Sequence, residues 1–152
     1  MSRSLATHQR SEGALTTAVE RDEGPRVLRG IVAAAVLLSA DIHLVLWLDS
    51  FADIPVIGPL FLVNVVAGLL IGVGMLIVRH WFLTFLAAGF GAATFAAYLI
   101  SRTVGLFGVR EQTWDPQAVL AAVAEIVAAL GGVVLLAAQL RSRRARGESA
   151  PT

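Results

Sequence analysis

The sequence predicts an all-α integral membrane protein, a bundle of four transmembrane helices. Three observations predict it. The 152-residue chain is 57% hydrophobic and only 15% charged, with a mean hydropathy of +0.75, against about half apolar and a quarter charged in a soluble domain. Charges gather before Gly30, after Leu140 and in three breaks between. The apolar blocks so bounded match one or two passes of the roughly 20 residues that a helix needs to cross the hydrocarbon core.

Met1–Pro25 is polar, mixed in charge and poor in large apolar residues. It reads as a disordered cytoplasmic tail, and not as a signal peptide, because the first apolar run starts late, is long and has no small-residue cleavage site after it. The first span covers Val27–Leu48. The break DSFADIP follows, with Asp49, Asp53 and Pro55 as turn formers. The second span covers Val56–Val78, with Pro59 tolerated in its first turn. Arg79-His80 is a tight break. Without it Val56–Ile100 would be about twice the spanning length, so two helices fit there and one does not.

The third span covers Trp81–Ile100, and the longer connection SRTVGLFGVREQTW comes next. Asp115-Pro116 opens the fourth helix as N-cap and first helical residue. That helix is expected to stop near Leu140, where the basic tail RSRRARGE begins. Trp47, Trp81 and Trp114 stand where interfacial anchors belong. The domain organisation is therefore a tail over 1–25, a four-helix domain over 26–140 and a basic tail over 141–152.

All twelve basic residues are Arg. Ten fall in the two tails and the Arg79 connection, and only Arg102 and Arg110 fall in the third connection. By the positive-inside rule both termini and the Arg79 connection face the cytoplasm. The C-terminal Arg cluster is a topology signal with a second reading, attraction to anionic lipid headgroups. The chain has no Cys, which excludes disulfides, thiolate metal sites and thiol redox chemistry. A net charge of +1 gives no indication of a nucleic-acid partner.

Polar residues within spans are costly and generally face a bundle interior. With a rise of about 1.5 Å per residue, His43 lies about 7 Å and Asp41 about 10 Å below the outer end of the first span. Asn64 lies about 12 Å in, Tyr98 about 4 Å and Glu125 about 14 Å. The polar groups thus fall in the outer half, and the cytoplasmic half is expected to be plain helix packing.

Small residues mark contact faces between membrane helices. At helical spacing His43 shares a stripe with Ser39, Ala40 and Ala35. Asn64 aligns with Gly68 and Gly72, Tyr98 with Thr94, Gly91 and Ala87, and Glu125 with Ala118, Ala121, Ala122, Ala128, Ala129 and Gly132. Asp41 shares its stripe with Leu37, Leu38 and Ala34, yet lipid exposure would cost an acid most.

The expected site is a ligand-binding or buried polar cluster of His43, Asn64, Tyr98 and Glu125, with Asp41 nearby and Arg102 as a cap. Arg110 and Glu111 belong to an outer loop too apolar to float free, read as a lid. Each residue also has a bland reading: Asn64 as an interhelical hydrogen bond, Tyr98 as a belt residue, and His43 bonded to Asp41, Ser39 or a carbonyl. Glu125 is the hardest to dismiss, because a carboxyl deep in a span must pair with a cation, be protonated or touch water.

His43 in the first helix, PVIGPLFLVN opening the second, YLISRTVGLFGVRE after the third, and Glu125 in the fourth resemble uncharacterised small four-helix integral membrane proteins of high-GC actinobacteria. The resemblance covers Val27–Leu140 and implies a pattern without an activity. The leading expectation is an accessory or binding protein of the cell membrane rather than an enzyme, acting alone, as a homo-oligomer or with a partner membrane subunit.

No cofactor is expected on that reading. Two alternatives stand. One is a metal- or haem-dependent redox subunit, with His43 and Glu125 as metal ligands. A haem would need a second axial His from another subunit, because His80 is at the opposite surface. The other is an oligomeric transporter or channel protomer, for which no inverted repeat argues.

Overall fold

The computed structural model describes residues 2–107 and 116–148, with side chains over 23–107 and 116–146. Four helices follow one another: α1 Ser2–Leu46, α2 Ile57–Ile77, α3 Trp81–Thr103 and α4 Pro116–Glu148. Four stretches are long and apolar enough to cross a membrane: Glu23–Phe51, which is α1 with the turn that continues it, Ile57–Ile77, Trp81–Thr103 and Pro116–Arg146. Leu70, Ile77, Phe85, Leu130 and Val133 are exposed around the bundle. Water would penalise that apolar belt and hydrocarbon accepts it.

The helices run alternately up and down in a ring. α1 packs on α2 and α4, α3 packs on α4, and the α2–α3 seam is the loosest of the four. The core is made of small side chains. Val32, Ala33, Ala35 and Val36 of α1 meet Met75 of α2, Ala87 of α3, and Ala128 and Leu135 of α4. α3 and α4 approach most closely at two glycines. A Cβ on Gly91 would stand 2.5 Å from the Glu125 carbonyl oxygen, and one on Gly132 would stand 3.0 Å from Ala88 Cα. These are the small-residue stripes of the sequence, used as backbone contact faces.

Several ends differ from expectation. α1 does not break at Leu48 but widens into a π-turn over Trp47–Phe51, closed by the Ala52 N–H donating to the Trp47 carbonyl at 3.0 Å. The backbone N-terminal to the first span is helical from Ser2, where a disordered tail was expected. Its Ala, Leu, Glu and Arg residues favour helix. α3 runs past Ile100 to Thr103. There the Val104 and Gly105 N–H groups both return to the Ile100 carbonyl, with Gly105 at φ 88° supplying the left-handed exit.

α4 continues beyond Leu140 through the Arg-rich segment, where Gln139 and the Arg residues are helix formers and positive charge suits a helix C-terminus. The tight break after α2 stands as an extended Val78 and His80. The His80 Nδ1 accepts the Phe82 N–H at 3.2 Å and caps α3. Asp115, expected to cap α4, and Trp114 lie outside the described residues.

Candidate functional site

The site is built on α1, α3 and α4, with a wall from α2. Glu125 is 1% exposed, on the α4 face pressed against α1 and α3. Its Oε1 accepts the Ser39 hydroxyl at 3.3 Å and stands 4.0 Å from His43 Nε2. That second distance is within ion-pair range but too long for a hydrogen bond. His43 Nδ1 lies 2.8 Å from the Ser39 carbonyl oxygen one turn back. A carbonyl only accepts, so Nδ1 carries the proton and Nε2 is the nitrogen turned to Glu125. Ser39 is therefore the hinge of the pair: its hydroxyl holds the acid and its carbonyl orients the imidazole.

Asn64 of α2 donates its Nδ2 to Thr94 Oγ1 at 3.0 Å, and Thr94 donates in turn to the Phe90 carbonyl at 2.8 Å. The bland interhelical reading of Asn64 thus describes one half of its amide. The other half, Oδ1, is buried without a hydrogen-bond partner, as are Glu125 Oε2 and Tyr98 Oη. Unpaired buried polar atoms are uncommon in folded proteins and each calls for an explanation. Here three of them belong to one region.

Two adjoining cavities collect these groups. One, of about 160 Å³, is lined by His43, Thr94, Tyr98 and Glu125 with an apolar remainder that includes Phe61 and Ala121. The other, of about 300 Å³, is lined by His43, Asn64 and Thr94, and its rim at Leu60, Val63 and Ala93 lies on the loose α2–α3 seam. His43, Phe61 and Thr94 belong to both. An aromatic stack forms one wall: Phe51 lies 4.8 Å from Phe61 at 12°, and Phe61 lies 5.0 Å from the His43 ring. The π-turn is what continues the helix far enough to carry Phe51 there, and such turns recur at functional sites.

Four of the expected residues, His43, Asn64, Tyr98 and Glu125, thus line one connected region. Asp41 does not join them. It is exposed on α1, one residue off the buried stripe of Ser39 and Ala40, because a helical advance of about 100° carries it outward. Arg102 lies over the Tyr98 ring at 5.9 Å and reaches the site through that ring. Arg110 and Glu111 lie outside the described residues. The preceding part of the same connection contributes Leu106 to both cavities.

A metal at His43 and Glu125 would find two protein donors, since no group of three His, Cys, Asp or Glu residues assembles among the described residues. Catalytic zinc sites commonly use three.

The expectation of plain packing at the other end is corrected. There Arg29 of α1 crosses to the C-terminus of α2, its Nε donating to the Met75 carbonyl at 2.7 Å and an Nη to the Val78 carbonyl. These are carbonyls that a helix end leaves without partners. Gln139 donates to Thr84 at 3.2 Å, and Arg143 lies 5.9 Å over the Trp81 ring. The sequence showed these arginines only as a charge count. The reach of one arginine to another helix's carbonyls has no local signature.

The fold and the spans define a multi-pass helical membrane protein. Comparison with family models, with curated proteins and with solved structures finds no match for the chain.

Proposed function

We propose that this chain is a small binding protein of the cell membrane, with both termini cytoplasmic, that holds a small amphipathic molecule in the outer half of its bundle. The observation that carries this reading is the set of unpaired buried atoms. Glu125 Oε2 and Asn64 Oδ1 are acceptors and Tyr98 Oη is donor or acceptor, all beside cavities with mainly apolar walls. The complement is a compact hydrogen-bond-donating head, an amine or hydroxyl, on a short apolar body. Such a head would satisfy the acceptors and, if cationic, offset the buried carboxyl. The volumes of about 160 and 300 Å³ suit a molecule smaller than the usual occupant of pockets of about 300–1,000 Å³. The loose α2–α3 seam supplies a lateral way in.

The test is thermal unfolding of the purified chain in detergent with short n-alkylamines and the matching n-alkanes. An amine should raise Tm in the full chain, the alkane should not, and Glu125→Gln should remove most of the difference. Equal shifts from amine and alkane would show partition into detergent or core, and would overturn the reading.

A further inference from the structure

The largest cavity described lies at the opposite end and is independent of the site above. It has about 430 Å³, within the range of ligand pockets, and is open to the surroundings. Its charge comes from three parts of the chain. α1 gives Arg26 and Arg29, the α2–α3 connection gives Arg79, and α4 gives Arg143 and Arg146. No Asp or Glu lines it among the described residues. The folded bundle thus draws together side chains of one sign that repel one another, an arrangement that a counter-anion stabilises.

The geometry points to a binding site for the phosphate of an anionic phospholipid headgroup. Guanidinium groups match phosphate oxygens in fork geometry, and here several converge on one volume. Arg29 is held in place by its bonds to the C-terminal end of α2, so part of the site is already ordered. Arg143 is placed by the Trp81 ring, and Arg146 Nε by the Ser142 carbonyl at 3.2 Å. A soluble phosphate compound shares this chemistry. The lipid is favoured because the cavity sits where the spans end. Ile77, Val78 and Leu140 are exposed at the same level and Trp81 stands in its wall, which is the depth of headgroups.

Arg141 and Arg144 supply an internal control. They lie on the same helix end with the same charge but do not line the cavity. The purified full chain in dodecyl maltoside is titrated with phosphatidylglycerol, with phosphatidylcholine and with inorganic phosphate, and bound adducts are read by native mass spectrometry. Phosphatidylglycerol should bind in preference to phosphatidylcholine. Arg79→Gln with Arg143→Gln should lower that affinity about tenfold or more, while Arg141→Gln with Arg144→Gln leaves it within about twofold.

Equal losses in the two double variants would mean a diffuse basic end without a site. Binding of inorganic phosphate alone would mean a soluble anion, and either result overturns the proposal. Should the first pair fail to fold, Arg79→Glu in the exposed connection carries the same comparison.

Discussion

Ser39 and Glu125 are 86 positions apart in sequence, and the hydroxyl of one meets the carboxyl of the other at 3.3 Å in the buried seam between α1 and α4. The same Glu125 oxygen faces His43 at 4.0 Å. The acid is thus neither lipid-facing nor alone, and a histidine and a serine one turn apart on α1 share it.

That sharing predicts non-additive energetics. His43→Leu and Glu125→Leu should each destabilise the bundle, because each strands the polar group of the other. The double variant should be less destabilised than the sum by about 1–2 kcal/mol. Unfolding in mixed micelles followed by circular dichroism measures all four corners of the cycle. Strict additivity would show that the 4.0 Å approach carries no energy.

Tyr98→Phe separates binding from folding. The Tyr98 Oη is buried without a partner, so removing it should cost nothing and can stabilise by up to about 1 kcal/mol. The same change should reduce the Tm shift given by an alkylamine. A variant that loses stability instead would mean that the hydroxyl already has a partner in the resting protein.

The α3–α4 contact makes a prediction from two neighbouring glycines. Gly91→Ala would drive a methyl group into the α4 backbone and should cost about 1–3 kcal/mol. Gly89→Ala meets nothing within 4 Å and should stay within about 0.5 kcal/mol. Equal effects, read from the same unfolding assay, would mean that the two helices do not pack through this face.

Arg29→Met keeps the aliphatic stem but removes the donors that close α2. It should cost about 1–3 kcal/mol, whereas Arg144→Gln at the same end should be nearly silent. Matching stabilities for the two variants would reduce Arg29 to one more positive charge.

The spans and the polar cluster were legible because both follow from one helical period. Glu125, Asn64, Tyr98 and His43 each sit on a stripe of small residues, and such stripes face other helices whatever the partner is. The same period sets Asp41 on a different stripe, and only the cost of a lipid-facing acid argued for placing it near the cluster. Hydrogen bonds between helices were not legible. The Ser39 hydroxyl to Glu125, Asn64 to Thr94 and Arg29 to the α2 carbonyls depend on which helices are neighbours and at what height. The basic cavity escaped notice for a similar reason. A charge count treats Arg79 and Arg143 alike with Arg141, and only the folded bundle separates those that converge from those that do not.

The central claim we propose is that the cavity of His43 and Glu125 lies in the outer half of the bundle, at the end remote from the basic cavity of Arg29, Arg79 and Arg143. Because the natural chain has no Cys, single cysteines report on it cleanly. Ala118 lines the cavity beside Glu125, and Ser142 lines the basic one. In intact cells an impermeant maleimide should label Ala118→Cys and leave Ser142→Cys untouched, and a short alkylamine should slow the first reaction. Labelling of Ser142→Cys from outside, or an Ala118→Cys that reacts only after the membrane is dissolved, would contradict it.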